Sequence, residues 1–175
     1  MVTYIHYGSD HFDKFLFKPL KNRRTFPASK PDVKSGLWAS PVDSKYGWKD
    51  WVIEQDFGAD LQKSFKFQLK NQDKIFDVST IEDAIDLIKR YYLKETEFHK
   101  LYYVDSLETI LDNIASKNVF LASNSFLLDF EKMQNDGYTG LEIHIAKNPM
   151  FYYLFYGWDM DSIIVWNVDE IIPVS

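Results

Sequence analysis

Hydrophobic and aromatic residues alternate with polar residues in several short segments near both ends of the chain. Residues 2–7 alternate in this way and are rich in aromatic and β-branched side chains, which predicts a strand that ends at Gly8. Residues 36–39 predict a second short strand. Residues 64–78 predict a β-hairpin whose turn lies at residues 71–73. Two later strands and the aromatic loop between them are predicted at residues 140–145, 162–166 and 151–158.

In the middle of the chain the apolar residues recur at helical spacing instead. Ser79 and Glu82 form a capping box, which predicts that a helix begins there. Asp105 and Glu108 form a second capping box and predict another helix. The apolar residues at helical spacing are Ile81, Ile85, Ile88 and Tyr92 in the first helix and Leu107, Ile110, Leu111 and Ile114 in the second.

Two more helices are predicted from signals at their ends. Asp43 or Ser44 can cap a helix that carries aromatic residues on one face and stops near Gly58. Residues 124–135 predict a further helix followed by Gly137, a residue type common just beyond a helix C-terminus. Strands at both ends with helices between them indicate the α+β class, because a parallel α/β fold would alternate the two.

The composition narrows the classes of function. The 175 residues suit one domain, so a single domain over residues 1–175 is expected. The chain has no cysteine, which excludes disulfides, thiolate metal sites and a cysteine nucleophile. A formal net charge of −6 weighs against bulk binding of nucleic acid. No secretory signal pattern and no apolar run of membrane-spanning length is evident, so we expect a soluble cytosolic protein.

Two local biases in the sequence suggest binding features. Aromatic residues make up 17% of the chain, enough for some rings to line a site for a flat ligand while most fill the core. Residues 18–34 gather six basic side chains among three prolines, which predicts a cationic loop. That loop would either contact a phosphate or an acceptor molecule, or form a solvated connection.

Several common catalytic motifs are absent from the sequence. There is no P-loop, no Gly-x-Gly-x-x-Gly after a strand and no Gly-x-Ser-x-Gly elbow. The four histidines are not paired at a spacing of four residues, so no metal site is expected. A glycosidase stays open as a class, because its two acids need not be close in sequence.

Three short motifs remain, and they occur in a defined order. Residues 5–9 read Ile-His-Tyr-Gly-Ser at the end of the first strand. Residues 36–40 read Gly-Leu-Trp-Ala-Ser and precede the helix that carries Trp48 and Trp51. Residues 161–167 read Asp-Ser-Ile-Ile-Val-Trp-Asn and include the last predicted strand.

This order resembles the ADP-ribosyltransferase superfamily, in particular its diphtheria-toxin-like and poly(ADP-ribose)-polymerase-like branch. There, a strand ending in His-Gly-Ser or His-Gly-Thr precedes a Gly-Ile-Tyr-Phe-Ala strand and an aromatic-bearing helix, and a Glu opens a last strand similar to Glu-Tyr-Ile-Val-Tyr. Residues 137–142, Gly-Tyr-Thr-Gly-Leu-Glu, are also similar to a segment of small phage-type members. The resemblance implies a split antiparallel β-sheet core flanked by helices, with NAD⁺ as the cofactor.

The resemblance also assigns the NAD⁺ pocket residue by residue. His6 would hydrogen-bond the adenosine ribose, and Gly8 would offer its N–H and C=O to the nicotinamide carboxamide. Ser9 would support the same turn. Tyr7, which is inserted between the histidine and the glycine in departure from the family pattern, is assigned to the same pocket. The remaining pocket residues would be Trp38 and Trp48, which stack on the nicotinamide, and Ser40, which contacts it.

The catalytic position departs further from the family. Alignment of the last strand places Ser162 where the family has its catalytic Glu. A carboxylate is needed to stabilise the oxocarbenium-like cation that forms as nicotinamide leaves the ribose. Asp161 is the first choice for this role, Glu142 the second and Asp159 the third. The two aspartates could instead form a turn, and Glu142 could face solvent on an edge strand.

The resemblance implies an NAD⁺-dependent mono-ADP-ribosyltransferase that modifies a macromolecular target, a protein in the leading hypothesis. Similarity to the small phage-type members implies a phage or bacterial origin and action in the cytoplasm, that of the host if phage-encoded. Two alternatives stay open. One is a catalytically inactive binding or inhibitor protein, which the missing Glu favours, and the other is an NAD⁺ glycohydrolase that uses water as the acceptor.

Overall fold

Seven strands and five helices form the described part of the chain. The computed structural model describes residues 1–22, 29–31, 35–93, 105–118, 122 and 126–174. The strands are β1 (Tyr4–Tyr7), β2 (Leu37–Pro41), β3 (Ser64–Leu69), β4 (Ile75–Val78), β5 (Gly140–Ile143), β6 (Ser162–Val165) and β7 (Ile171–Val174). The helices are α1 (Trp48–Glu54), α2 (Ile81–Tyr91), α3 (Leu107–Ala115), α4 (Phe130–Asn135) and α5 (Pro149–Leu154). The predicted α+β class is confirmed.

The seven strands form one sheet in the order β4-β5-β6-β2-β1-β3-β7. All neighbouring strands are antiparallel except β4 and β5, which are parallel. Strands from the two ends of the chain therefore lie side by side at the centre, where β6 pairs with β2 and β2 pairs with β1.

Alternate residues of the strands enter two different hydrophobic cores. In β6, Ile163 and Val165 belong to a core made of strand residues, whereas Ile164 belongs to a larger core that includes the helices. In β4, Ile75 likewise faces the strand core, and Phe76 faces the helical core. This two-residue period is the one expected when both faces of a sheet are covered.

The strand core requires the sheet to curl over on itself. In a flat sheet β3 and β4 would lie five strand spacings, or about 24 Å, apart. The chain from Leu69 to Ile75 spans at most about 20 Å when fully extended, and residues Gln72–Lys74 shorten it by forming a 3₁₀ turn. Leu69 and Ile75 accordingly belong to the same core from opposite layers.

The predicted β-hairpin at residues 64–78 is wrong, although both of its strands exist. Strand β3 pairs with β1 and β7, whereas β4 pairs with β5. The turn at residues 71–73 passes the chain between the two layers of the curled sheet, and the Glu170 carboxylate holds it by accepting the N–H of Asn71 at 3.1 Å. The two strands meet through side chains of the strand core and not through a backbone ladder.

Both predicted helix caps are displaced by one residue, and only α2 has a full capping box. At α2 the hydroxyl of Thr80 accepts the N–H of Asp83 at 3.2 Å, and the Asp83 carboxylate accepts the N–H of Thr80 at 2.8 Å. At α3 the cap is Ser106, whose hydroxyl accepts the N–H of Thr109 at 3.1 Å. The predicted caps, Ser79 and Asp105, each lie one residue before the actual cap and have side chains of the same capping chemistry. Spacing alone could not separate the neighbouring choices.

Helix α4 is shorter than the helix predicted at residues 124–135. It begins at Phe130, where the Asp129 carboxylate accepts the N–H of Lys132 at 2.9 Å. Residues 126–129 are not helical, because Leu128 forms a β-bridge with Tyr92; residues 123–125 lie outside the described residues. The predicted end is confirmed, with Gly137 following at a φ of +95°.

The last part of the chain contains one helix and one strand that were not predicted. Residues 151–158 were expected to form a loop, but α5 starts at Pro149 after Asn148, whose side chain accepts the N–H of Met150. Proline is favourable in this first-turn position. Strand β7 includes Pro173 and forms one edge of the sheet. Within the described residues, no helix is both long enough and apolar enough to cross a bilayer.

A substitution at Gly140 tests the close contact between β5 and its neighbours. A Cβ atom on Gly140 would lie 2.7 Å from the Ile164 carbonyl oxygen and 2.7 Å from the Ile75 side chain. We expect Gly140→Ala to lower the free energy of unfolding by about 1–3 kcal/mol, because overpacking forces the strands apart. Urea unfolding measures the change. Gly58→Ala is the control, since its Cβ has no neighbour within 4 Å; equal effects of the two substitutions would contradict the close packing.

Candidate functional site

The candidate site lies where strands β1 and β2 stop pairing. The two strands are in register at Tyr4 with Pro41 and at Ile5 with Ser40. One residue further along β1, a side-chain hydrogen bond replaces the backbone pairing: Nδ1 of His6 lies 2.7 Å from the carbonyl oxygen of Trp38. Strand β1 continues along β3, and β2 continues along β6, so a cleft opens between the two halves of the sheet.

A cavity of about 430 Å³ occupies this cleft. Such a volume is within the usual range of pockets for small molecules and cofactors. The residues assigned to the NAD⁺ pocket that line it are His6, Tyr7, Gly8, Trp38, Ser40 and Trp48. The structure thus brings six of the seven assigned residues to one cavity, although they come from two strands, a turn and a helix.

Helix α1 is held against the cavity by Ser40. The hydroxyl of Ser40 accepts the first N–H of the helix, from Trp48, at 2.9 Å. The Asp50 carboxylate accepts the N–H of Gly47 at 2.9 Å. The predicted cap at Asp43 or Ser44 is wrong, because the helix begins at Trp48 with Gly47 as its N-cap, and the Ser44 hydroxyl donates to Asp161 at 2.8 Å.

Tryptophan rings form two walls of the cavity. Trp48 and Trp51 of α1 stack with ring centroids 5.3 Å apart and an interplanar angle of 24°. Trp38 of β2 packs against the buried ring of Trp158 at 4.9 Å. Fixed aromatic surfaces of this kind suit a flat and electron-poor ligand ring.

A short segment at residues 29–31 brings positive charge to the cavity. The Trp158 indole N–H donates to the Ser29 carbonyl at 3.0 Å and holds this segment in place. Lys30 lines the cavity, with its ammonium 5.1 Å from the centroid of the Trp38 ring. The predicted cationic loop at residues 18–34 therefore contributes one lysine to the site, and residues 23–28 and 32–34 of that loop lie outside the described residues.

The environment of His6 favours the neutral imidazole. Burial lowers the pKa of His6 below its usual range, and the hydrogen bond to the Trp38 carbonyl offsets this only in part. A carbonyl oxygen can only accept, so Nδ1 must carry the proton that is donated to it. The other ring nitrogen, Nε2, is then left with a lone pair that can accept a hydrogen bond.

Gly8 and Ser9 form the turn that ends β1, and they contribute differently to the site. Gly8 has a φ of +100°, a conformation that favours glycine, and it lines the cavity. Its N–H donates to the Lys63 carbonyl at 2.9 Å and is not available to a ligand. Ser9 does not line the cavity; its hydroxyl donates to the His11 carbonyl at 2.8 Å within the turn.

Two carboxylates line the cavity, Asp60 and Asp159. The Asp60 carboxylate accepts the N–H of Gln62 at 3.0 Å and thereby stabilises its own turn. Within the described residues, no hydrogen bond or ion pair engages the carboxylate of Asp159, which is half-buried. Asp159 is thus the carboxylate of the cavity that is free to act on a ligand.

The first-choice acid, Asp161, is placed elsewhere. It is 5% exposed, and its two oxygens accept the Ser44 hydroxyl at 2.8 Å and the Ala146 N–H at 2.7 Å. Both bonds join loops around the start of β6, and Asp161 does not line the cavity. The geometry gives this carboxylate a structural role.

The second-choice acid, Glu142, faces the opposite layer of the sheet. It is 3% exposed, and it accepts a hydrogen bond from the Tyr4 hydroxyl at 2.7 Å. Burial raises the pKa of the Glu142 carboxyl, and the Tyr4 hydrogen bond opposes that rise. Glu142 is therefore neither solvent-facing, as its alternative interpretation held, nor part of the cavity.

Ser162, at the position of the family's Glu, does line the cavity. Its hydroxyl donates to the Met160 carbonyl at 2.8 Å. The alignment of the last strand therefore selected a position that faces the cleft, and a hydroxyl stands there instead of a carboxylate.

Several lining residues were not assigned to the site from the sequence, among them the polar or aromatic side chains of Trp51, Lys30 and Asp60. Trp51 could have been found, because it follows Trp48 by three residues and so lies on the same helix face. Lys30 and Asp60 lie in irregular segments, for which no periodic pattern predicts a direction.

No family model matches the sequence, and neither the search of curated proteins nor that of solved structures found a match. The chemistry and geometry of the cavity itself are therefore the basis for a functional assignment.

The protonation of His6 gives a test of the site's electrostatics. Because burial lowers its pKa, the unfolded chain binds a proton at this residue more readily than the folded chain does. The contribution of neutral His6 to the free energy of unfolding is fully present above pH 6.5 and is lost as the pH falls below that value. We expect wild type to lose more free energy of unfolding than His6→Asn between pH 7.5 and 5.5, measured by urea unfolding at each pH. A proton-NMR titration midpoint above 6.5 for His6 would contradict a neutral buried imidazole.

Proposed function

We propose that the protein is an NAD⁺-dependent mono-ADP-ribosyltransferase that modifies a macromolecular acceptor, a protein in the leading case. One observation carries this proposal. The histidine of β1, the tryptophan and serine of β2, and the aromatic helix α1 converge on one cavity at the point where the sheet splits. The finer assignment to an ADP-ribosyltransferase fold is part of the same proposal.

The polar groups of the cavity match the hydrogen-bonding needs of NAD⁺. Nε2 of His6 accepts a ribose hydroxyl, since Nδ1 is committed to Trp38. The Gly8 carbonyl accepts from the carboxamide NH₂ group, because the Gly8 N–H is already donated to Lys63. Ser40 already accepts the Trp48 N–H, which leaves the O–H of Ser40 to donate to the carboxamide oxygen.

The ring and the phosphates of NAD⁺ find complementary surfaces as well. The nicotinamide ring is flat and cationic, and it stacks on the tryptophan walls that Trp38 and Trp48 provide. Lys30 lies at the Trp38 wall and supplies positive charge for the diphosphate. Because the chain as a whole has a net charge of −6, the local positive charge of Lys30 is the feature that attracts an anionic cofactor to the site.

Asp159 carries the catalytic role in this proposal. The bond between ribose C1′ and the nicotinamide nitrogen breaks, the nitrogen keeps the electron pair, and a cation develops on the ribose. The free carboxylate of Asp159 stabilises that cation from the cavity wall. A nucleophile of the acceptor then attacks C1′ and loses its proton, which completes the transfer. The carboxylates of Asp161 and Glu142 are already engaged in hydrogen bonds outside the cavity.

One observation favours a second candidate function, a binding protein without catalysis. Ser162 replaces the carboxylate that the family places on the last strand, and both oxygens of Asp161, the acid just before β6, already accept hydrogen bonds. If Asp159 does not reach the ribose, the cavity binds a ligand without cleaving it. An NAD⁺ glycohydrolase uses the same cavity and differs only in taking water as the acceptor.

Calorimetry with NAD⁺ tests the cofactor assignment. We expect saturable binding, weakened about tenfold or more by Trp48→Leu, because stacking on one aromatic ring contributes about 1–3 kcal/mol. Phe15→Leu is the control, since this side chain is 83% exposed and does not line the cavity. An absence of binding at millimolar NAD⁺ would exclude NAD⁺ as the cofactor.

Nicotinamide release tests the catalytic role of Asp159. We expect Asp159→Asn to lower the rate about 100-fold or more while NAD⁺ affinity changes little, because losing one preorganised group costs about 3–4 kcal/mol at the transition state. The control is Asp169→Asn, an exposed position outside the cavity. Asp161→Asn should lower the free energy of unfolding but keep its activity per folded molecule.

The products then separate the three candidate functions. Incubation with labelled NAD⁺ and a cell lysate gives labelled protein for a transferase, and free ADP-ribose for a glycohydrolase. NAD⁺ binding without nicotinamide release identifies the binding protein. Full activity in Asp159→Asn together with loss in folded Asp161→Asn would move the catalytic role to Asp161.

A further inference from the structure

A second group of ionisable side chains lies on the face of the sheet that covers the strand core. Asp77 of β4 is in register with Glu142 of the parallel strand β5, so the two side chains leave the sheet on the same face. His144 follows Glu142 by two residues and leaves the chain on that face too. Each of the three offers one metal-ligating atom, and these atoms lie within 4.8 Å of one another.

The three atoms converge on the Nε2 nitrogen of His144. It lies 2.8 Å from Oδ2 of Asp77 and 3.6 Å from Oε1 of Glu142. Ligands of a tetrahedral ion with bonds of 2.0–2.1 Å lie about 3.3 Å apart. The two observed distances lie on either side of this value, so small side-chain shifts would place an ion between the three atoms.

Each carboxylate has its other oxygen fixed by a hydroxyl group. The Tyr4 hydroxyl donates to Oε2 of Glu142 at 2.7 Å and accepts from the Gln72 amide at 2.7 Å. The Ser79 hydroxyl donates to Oδ1 of Asp77. Oxygens Oε1 and Oδ2 are thereby turned toward the histidine. Hydrogen bonds of this kind to the far oxygen are the usual means by which proteins orient metal ligands.

We propose that Asp77, Glu142 and His144 bind a divalent transition-metal ion of the zinc class, at a site separate from the cavity and independent of the proposed function. The imidazole nitrogen selects for this class, since Mg²⁺ and Ca²⁺ prefer oxygen ligands alone. The partial exposure of Asp77 leaves a path to solvent and room for water as a further ligand. A search for paired histidines could not find this site in the sequence, because two of its three ligands are carboxylates and one of them lies on another strand.

The competing arrangement is a simple ion pair. A protonated His144 would satisfy both carboxylates without a metal. The ammonium of Lys147 lies 3.0 Å from the Ser79 hydroxyl and adds positive charge beside the cluster, which opposes a cation. Metal binding must therefore displace the proton from His144, and its affinity will rise with pH.

Calorimetry with Zn²⁺ on the full chain, after treatment with a chelator, tests the proposal. We expect one ion per chain and a rise in the melting temperature on adding Zn²⁺, because a ligand that binds only the folded state stabilises it. His144→Ala should weaken binding at least tenfold and remove the rise in melting temperature. His11→Ala is the matched control, since His11 is exposed and pairs with the exposed carboxylate of Asp10, outside the three-residue cluster.

Two more variants keep the test decisive if His144→Ala fails to fold. Asp77→Asn changes a half-exposed side chain on an edge strand and should weaken Zn²⁺ binding without unfolding the chain. Tyr4→Phe should weaken it about 10- to 100-fold, as loss of an outer hydrogen bond usually does. Absence of a one-to-one complex at millimolar Zn²⁺, or binding unchanged in both His144→Ala and Asp77→Asn, would overturn the proposal in favour of the ion pair.

Discussion

The hydrogen bond from the His6 imidazole to the Trp38 carbonyl lies at the point where the sheet divides. Backbone pairing between β1 and β2 ends one residue earlier, and the side chain satisfies a carbonyl that would otherwise lose its partner. Because each strand then continues with a different neighbour, the gap between them becomes a cavity with walls fixed on both sides. The position of the tryptophans, the helix α1 and the acid Asp159 all follow from this one division.

Local patterns predicted most elements of the fold but not how they pair. Alternation identified six of the seven strands, and capping chemistry located α2 and α3 to within about one residue. The hairpin at residues 64–78 failed because a turn signal does not say whether the chain returns beside a strand or crosses to another layer. That choice is made by packing across the strand core, to which both Leu69 and Ile75 belong.

The candidate site was predictable on one wall and not on the other. His6 and Trp38 lie on the paired strands β1 and β2, so the order of the sequence motifs was enough to assign both residues to one pocket. The acid was harder to choose because Asp159 and Asp161 are two residues apart in a turn. Only their hydrogen-bond partners distinguish the two. The Asp161 carboxylate accepts from Ser44 and Ala146, whereas within the described residues the Asp159 carboxylate is not engaged. Such commitments depend on loops that have no sequence period.

Pro173 has a consequence for the edge of the sheet. Just before β7, Lys70 donates to the Glu170 carbonyl, so residues 172 and 174 of β7 bond to β3, and residues 171 and 173 point their backbone groups outward. At position 173 that outward position is a proline nitrogen without a hydrogen. A strand from another molecule that added to this apolar edge would meet a missing donor midway along it. Pro173 thus disfavours intermolecular β-pairing at this edge of the sheet.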